Sequence, residues 1–544
     1  MFNEKLFNNK LIVSLFFIIY FFAGSILVTD YGVAFDEDIQ RQLAQNRLDY
    51  ISYFFSNIFN QSSKLVEDIV TIQSPEYGVA FELPALWLEK IIGYTESRSQ
   101  FFFRHYLIFC TSFVGSIFFY LLALKSFNSW KLAIFGTLLL ISSPRIFAES
   151  FYNSKDIIFM YLFLINTFFV INFINKPSNL NSLSLALISS LCIGVRIGGI
   201  ILVAFTIYFF WIKYLRRDYN VKAKISLIIF LISLIFFTIL FWPSLWEDPI
   251  RNFVNSILSF KNYEHEMFNF YMGKYVVSNA NYWHYIPVWI LITTPVFIII
   301  LFVYGFSLSI YRTISRLIKI SNKKSFNDLW RGPLELQNLI FSLLIFIPIF
   351  FTIVFNSTLY SGWRHLYFVY PFIILLSLNP LKIIYMKLKL KKMHNFKVFL
   401  NFVVLTLIIS NFFWLYKNHP FQNSYFNLFA GKKPHKNFEV DYWGLSNKFV
   451  LEKILNDDKR DKVYVSAISI TSLAANFDIL TDNDKQRIQY ARKLESSDYI
   501  INNNMLGHGN KYKLKKIPSN FDIYYKLFID DILITTIYKR KDLI

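Results

Sequence analysis

The chain reads as an all-α polytopic membrane protein with a small C-terminal α/β extramembrane domain, and three observations carry that expectation. Of its 544 residues, 55% are hydrophobic and 20% aromatic, against 17% charged, a balance that a soluble domain of this length does not strike. Apolar runs of bilayer-spanning length recur along the sequence. The formal charge of +20 is carried by short basic runs between those apolar stretches. That distribution follows the positive-inside rule better than it suits nucleic-acid binding.

Taken in order, the first apolar run covers 11–28, behind Lys5 and Lys10. It resembles a signal peptide, but no small-x-small cleavage site follows, so a retained first helix is expected. Further runs cover 103–124, 131–147, 156–174, 225–243, 286–311, 336–355, 364–380 and 398–416. The stretch 183–213 is long for one span and short for two, and Arg196 of Gly194-Val195-Arg196-Ile197-Gly198-Gly199 sits near its middle. A charge at the bilayer centre costs roughly 2.5–3.5 kcal/mol or more. Two short helices meeting at the surface would lift Arg196 into a polar site, which makes about eleven spans. With the N-terminus cytoplasmic, Lys125, Lys131, Lys176 and the runs 213–224, 312–324 and 387–392 then all fall inside; a single span at 183–213 would turn the later runs outside. The other face, expected to be periplasmic or extracellular, receives the loop 30–102, the turn 143–156, the segments 242–284 and 356–365, and the tail. Trp283, Trp289 and Trp363 are read as interfacial belt residues.

The domain division expected is 1–416, transmembrane and catalytic, and 417–544, a C-terminal α/β appendage. In the latter, Lys462-Val463-Tyr464-Val465 and Asp498-Tyr499-Ile500-Ile501 read as strands, and 521–539 as a hairpin around Asp530-Asp531. Cys110 and Cys192 both lie in apolar runs, which rules out a disulfide framework and thiolate metal sites, and no phosphate loop, CxxC or HExxH occurs.

Polar residues that could carry chemistry collect on the non-cytoplasmic side. Phe35-Asp36-Glu37-Asp38 opens an amphipathic helix continued by Ile39, Leu43, Tyr50, Ile51, Phe54 and Phe55. Asp36 either caps that helix or serves as a general base at the membrane face. Glu82 interrupts an apolar passage, Glu82-Leu83-Pro84-Ala85-Leu86-Trp87. The turn 143–156 packs Arg145, Glu149, Asn153, Lys155 and Asp156 between two spans, and Tyr360-Ser361-Gly362-Trp363-Arg364-His365 stands at the mouth of another. Each has a plainer reading, as loop polarity, a helix start or a snorkelling arginine. Together, carboxylates and cations beside apolar helices suit a ligand with an anionic head and a lipid tail. The stretch 249–262 carries an apolar stripe of Ile250, Phe253, Val254, Ile257 and Leu258, as for a helix resting on lipid.

In these motifs the sequence resembles the GT-C membrane glycosyltransferases, most of all the protein O-mannosyltransferase and lipid A aminoarabinose transferase group. Asp36-Glu37 stands where that group carries its first-loop carboxylates, 77–87 is similar to its Glu-Pro stretch with Leu83 interposed, and 143–156 looks like its second-loop motif. Trp242-Pro243-Ser244-Leu245-Trp246-Glu247-Asp248-Pro249, 360–365, His419-Pro420 to Asn427 and Asp441-Tyr442-Trp443-Gly444 resemble segments of a bacterial subgroup. The resemblance implies a GT-C fold in the inner membrane and an inverting transfer from a polyprenyl-phosphate sugar to a protein, lipid or glycan acceptor. It implies Asp36 as base, with Glu37, Asp156 and Glu82 as further catalytic-site carboxylates. Arg145, Lys155, Arg196, Arg364 and His365 are assigned to the lipid phosphate. Some members use a divalent cation. Here the one DxD-like pattern is Asp36-Glu37-Asp38, so no metal ligands are assigned. The rival readings are a lipid-linked glycan flippase or transporter, a polysaccharide polymerase or ligase using Arg364-His365, and a non-catalytic partner protein.

Overall fold

The computed structural model describes residues 2–58, 72–261, 267–318, 329–469, 471–505 and 516–543. Among them, nine helices are long and apolar enough to cross a membrane. The spanning helices are α1 (Phe2–Leu27), α4 (Ser97–Phe127), α7 (Asp156–Asn175), α9 (Ile200–Leu215), α10 (Lys222–Phe241), α13 (Val296–Ile318), α14 (Pro333–Val354), α15 (Tyr370–Leu390) and α16 (His394–Lys417). The run at 131–147 is a helix pair bent by 70°, α5 (Trp130–Ile141) and α6 (Pro144–Tyr152). The bend falls where Pro144 starts a new helix and cannot donate a backbone bond to the old one. The 183–213 stretch is divided, as expected from the charge pattern: α8 (Asn179–Val195) ends at an extended Arg196, and a short 3-10 turn leads into α9. At 17 residues α8 is a shorter apolar helix, whereas α9 with the 3-10 turn before it makes a span of 19 residues. The 286–311 run, expected as one span, is broken at Pro295 into α12 (Tyr285–Thr293) and α13.

The helices are layered by what they face. The spanning windows of α7 and the 364–390 helix are 78% and 83% buried, whereas those of α1 and α16 are 11% and 6% buried. Outward-facing Ile, Leu and Phe side chains such as Ile232, Phe236, Ile300 and Phe402 are each more than half exposed, a surface that water would penalise and lipid accepts. The chain is an integral membrane protein. At one end of the bundle the basic connections meet: Lys213 donates to the Ile174 carbonyl (3.0 Å), Arg216 stacks over Trp330, and Arg316 pairs with Glu335 (3.1 Å). The basic run 312–324 is described as far as residue 318.

At the opposite end lie α2 (Phe35–Ile58), α3 (Glu82–Ile92) and α11 (Pro249–Lys261), with residue 262 of the expected 249–262 stretch outside the described residues. Ile250, Val254, Ile257 and Leu258 of α11 are exposed, while Phe253 packs on Trp242. A hairpin follows, β1 (Phe268–Tyr271) and β2 (Lys274–Val277), turning on Met272 and Gly273, both at positive φ. Trp283 is 69% exposed, as a belt residue would be, but Trp289 and Trp363 are buried at 0% and 2%. Those two do not belong to the belt. Trp363 donates to Thr293 Oγ1 (2.9 Å) and Trp289 packs on Phe426 and Phe438.

The C-terminal sheet contains β3 (Val463–Ala467), β4 (Ile488–Tyr490), β5 (Tyr499–Asn502), β6 (Phe521–Ile529) and β7 (Ile532–Arg540), in the order β4-β3-β5-β7-β6. Strands β3, β4 and β5 are parallel and β7 runs against β5 and β6. The β6–β7 turn is Asp530-Asp531, both at positive φ, a conformation that short acidic side chains tolerate. Helix α17 (Ser446–Asp457) lays Val450, Leu451 and Ile454 on the sheet's core. The connecting segment 418–445 joins both parts: Phe426 and Phe438 pack with the transmembrane helices, Tyr442 and Trp443 with Tyr31 and Tyr152, and Phe421 and Val440 with Leu527, Ile532 and Ile534 of the sheet.

Candidate functional site

The site is built where three interruptions of the helix bundle meet. The first is the start of α7. Asn153 accepts from the backbone N–H groups of Lys155 (3.1 Å) and Asp156 (2.7 Å), so it closes the turn after α6 and opens α7 with a carboxylate at its positive end. The second is the break at Arg196. Gly78 reaches this break so closely that a side chain there would run into the Gly194 carbonyl, which instead accepts from the Ala80 N–H (3.3 Å). The third is the turn before α15, where Ser361 and Gly362, both at positive φ, swing Arg364 inward.

These interruptions bring together Lys155, Asp156, Arg196, Arg364 and His365, five of the residues expected from the sequence, and α2 adds Asp36 as the sixth. Arg364 Nη1 donates to Asp36 (2.7 Å) and also faces Asp156 (3.4 Å). Arg196 pairs with the other oxygen of Asp156. Lys155 lies over the ring of Tyr77, 3.6 Å from its centre, and feels both arginines and both carboxylates. Arg364 is sandwiched by the rings of Tyr360 and Trp443, at 4.8 and 4.5 Å. His365 packs edge-on to Tyr360, and its Nδ1, Arg364 Nε and Arg196 Nε are buried with no hydrogen-bond partner among the described residues. Three cationic groups therefore surround two carboxylates, with donor capacity left unused. Burial and the two arginines push the Lys155 ammonium down to about 7. Exposure separates the carboxylates: the Asp36 side chain is 29% exposed and that of Asp156 is 0%.

Glu37 and Glu82 are not in this cluster. Glu37, rather than Asp36, holds the start of α2, accepting from the Ala34 N–H (2.6 Å) and meeting His105 Nε2 (2.9 Å). Glu82 pairs with Arg104, and Arg41 with Glu89 (2.5 Å), so a buried ion-pair network rivets α2 and α3 to α4. Arg145 is buried elsewhere, over Trp289 and Phe426, its Nε donating to the Tyr425 carbonyl (3.2 Å). Asp38 accepts from Gln42 (2.8 Å), so the Asp36-Glu37-Asp38 pattern does not converge. No group of three His, Cys, Asp or Glu suited to a metal occurs among the described residues.

Three residues near the cluster fall in motifs picked out from the sequence but without a role of their own: Asn153 and Glu149 in the turn 143–156, and Trp443. Glu149 accepts from the Tyr367 and Tyr442 hydroxyls (2.8 Å each) and from Asn153 (2.6 Å), tying 442–443 to the turn after α6. The motif Asp441-Tyr442-Trp443-Gly444 was the available signal, but it lies far along the chain from its partners.

No protein-family model matches the chain, and no curated protein matches it. Among solved structures, the crystal structure of ArnT from Cupriavidus metallidurans in the apo state is similar over 98% of this chain and 99% of that one, with a TM-score of 0.44 and 10% identity.

Proposed function

We propose that this integral membrane protein is an inverting glycosyltransferase that uses a polyprenyl-phosphate sugar and works on the face of the membrane opposite its basic loops. One observation carries the reading: Asp36, the accessible carboxylate, shares Arg364 with the buried Asp156 in a cluster that also holds Arg196 and Lys155.

A phosphate leaving group needs its charge stabilised rather than a proton donated. Arg196, Arg364 and Lys155 supply that charge, while Asp156 holds the two guanidiniums in register. The acceptor hydroxyl or amine attacks the anomeric carbon. The bond from that carbon to the phosphate oxygen breaks, its electron pair leaves with the polyprenyl phosphate, and the acceptor proton passes to Asp36. Arrival of the phosphate draws Arg364 away from Asp36, which frees the carboxylate as a base at the moment the donor is bound. Glu37 and Glu82 act at a distance, by positioning the helix that carries Asp36. Among the described residues, the carboxylates near Asp36 do not converge on a metal.

The test is transfer of label from polyprenyl-phosphate sugars by the purified chain in liposomes, compared with Asp36→Asn. Native transfer that falls by about 10²–10⁴-fold in the variant supports both class and base. Transfer that survives the change removes Asp36 as base. No transfer across a panel of donors, with lipid moving between leaflets instead, replaces the reading with a flippase.

A further inference from the structure

Outside the cluster, a cavity of about 240 Å³ opens between the β1–β2 hairpin and the C-terminal domain. Its walls include Phe270, Tyr275 and Phe438 from one side and Asn504 from the other, with Glu439 and His435 between them. Glu439 is 4% exposed. Its Oε1 accepts from the Phe270 N–H (2.8 Å), and its Oε2 has no partner among the described residues. An unpartnered buried carboxyl oxygen is costly unless something fills the place.

The chemistry of the lining narrows what that is. Burial pushes the Glu439 carboxyl up to about 8, against the opposite pull of the Phe270 N–H, Arg364 and Arg145, so at neutral pH it is mostly a carboxylic acid with an O–H to donate. His435 accepts from the Leu533 N–H (3.2 Å) through Nδ1, and burial and the flanking lysines keep its ring neutral, which leaves the proton on Nε2. A cavity with no fixed charge does not select an anion or a cation. Hydroxyl, amide and imidazole edges beside aromatic faces select a hydroxylated ring. The volume admits one ring rather than a chain of them.

We propose that this cavity binds an uncharged sugar ring, with Glu439 as its principal hydrogen-bonding partner and Phe270 as part of its aromatic wall. The assignment deepens the glycosyltransferase reading, because the ring would be either the acceptor's sugar or the one carried by the donor. Its test does not require transfer.

Saturation-transfer difference spectra would be recorded on the full chain in nanodiscs, with methyl glucoside, mannoside, galactoside and N-acetylglucosaminide as probes. At least one glycoside is expected to give signals. They should weaken about tenfold or more in Glu439→Leu and persist in Glu439→Gln, whose amide both accepts and donates as the protonated acid does. Phe270→Ala, at a half-buried position, should weaken them too, and it serves if Glu439→Leu does not fold. Absence of signal from every glycoside with native protein, or signals unchanged in Glu439→Leu and Phe270→Ala, overturns the proposal. Where a glycoside binds, displacement of a labelled polyprenyl-phosphate sugar assigns the site to the donor; undisturbed donor binding assigns it to the acceptor. Glycoside binding together with failed transfer by native protein would leave this site standing while the transfer reading fell.

Discussion

Asp36 and Glu37 are neighbours of like chemistry, yet their surroundings divide their work. Glu37 turns under α2 to the Ala34 N–H and His105, at 2% exposure, whereas Asp36 faces Arg364. Asp36→Asn should therefore lower transfer by about 10²–10⁴-fold while leaving folding intact, since the amide oxygen still accepts from Arg364. Glu37→Gln should instead lower the melting temperature, by a few degrees for each kcal/mol lost. A thermal melt and a transfer rate on both variants separate the two roles. Lys155 adds a pH dependence. Its folded-state value of about 7 lies below the ordinary lysine value of ~10.4, so between those values the unfolded chain holds the extra proton. Lys155 thus opposes folding in full below about pH 7, and that penalty is relieved as the pH rises from there towards ~10.4. Ligand binding runs the other way, because a phosphate prefers the protonated amine. Affinity for polyprenyl phosphate should rise as the pH falls through about 7, and Lys155→Met should flatten that step. An unchanged titration in the variant would remove Lys155 from the phosphate site.

At the scale of elements, the site depends on places where helices stop. Pro144, Arg196 and the Ser361-Gly362 turn each end or redirect a helix at the same membrane face, and backbone freed from a helix needs protein partners there. The loop ahead of Asp36 is held by the C-terminal domain. Asn476, wholly buried, accepts from the Val33 N–H (3.0 Å) and donates to the Val33 carbonyl (2.9 Å), and Ser472 donates to that carbonyl as well (2.7 Å). Asn476→Leu strands the Val33 N–H, at about 1–3 kcal/mol, and leaves the carbonyl to Ser472 alone. The expected outcome is a lower melting temperature and a reduced transfer rate, with affinity for the donor phosphate retained because Arg196, Arg364 and Lys155 are untouched. Equal loss of both would place Asn476 in general stability alone.

For the whole molecule, the proposed orientation rests on the segregation of basic loops and polar cluster to opposite ends. Single cysteines placed at Lys389 and Asp248, both exposed, should label from opposite sides of sealed vesicles with a membrane-impermeant maleimide, Asp248→Cys from outside the cytoplasm. Labelling of both from one side would overturn the topology. The native Cys110 and Cys192 lie within apolar helices.

Composition and run length alone determined the helical membrane architecture, because twenty-odd apolar residues have few other places to go. The split at Arg196 was also legible, from charge counting on both sides of it, as were the β3 and β5 strands and the Asp530-Asp531 turn. The β1–β2 hairpin was not, its strands being only four residues each. Nor were the roles of Trp289 and Trp363, since an aromatic at a helix mouth is equally at home in lipid headgroups or in a core. The grouping of Asp36, Asp156, Arg196 and Arg364 was expected only as a shared face. Which carboxylate meets which cation, why Glu82 and Arg145 are drawn elsewhere, and how 439–443 returns to the site were decided by tertiary packing. Burying charge demands a partner at bonding distance, and that demand is met by residues whose separation along the chain carries no local signal.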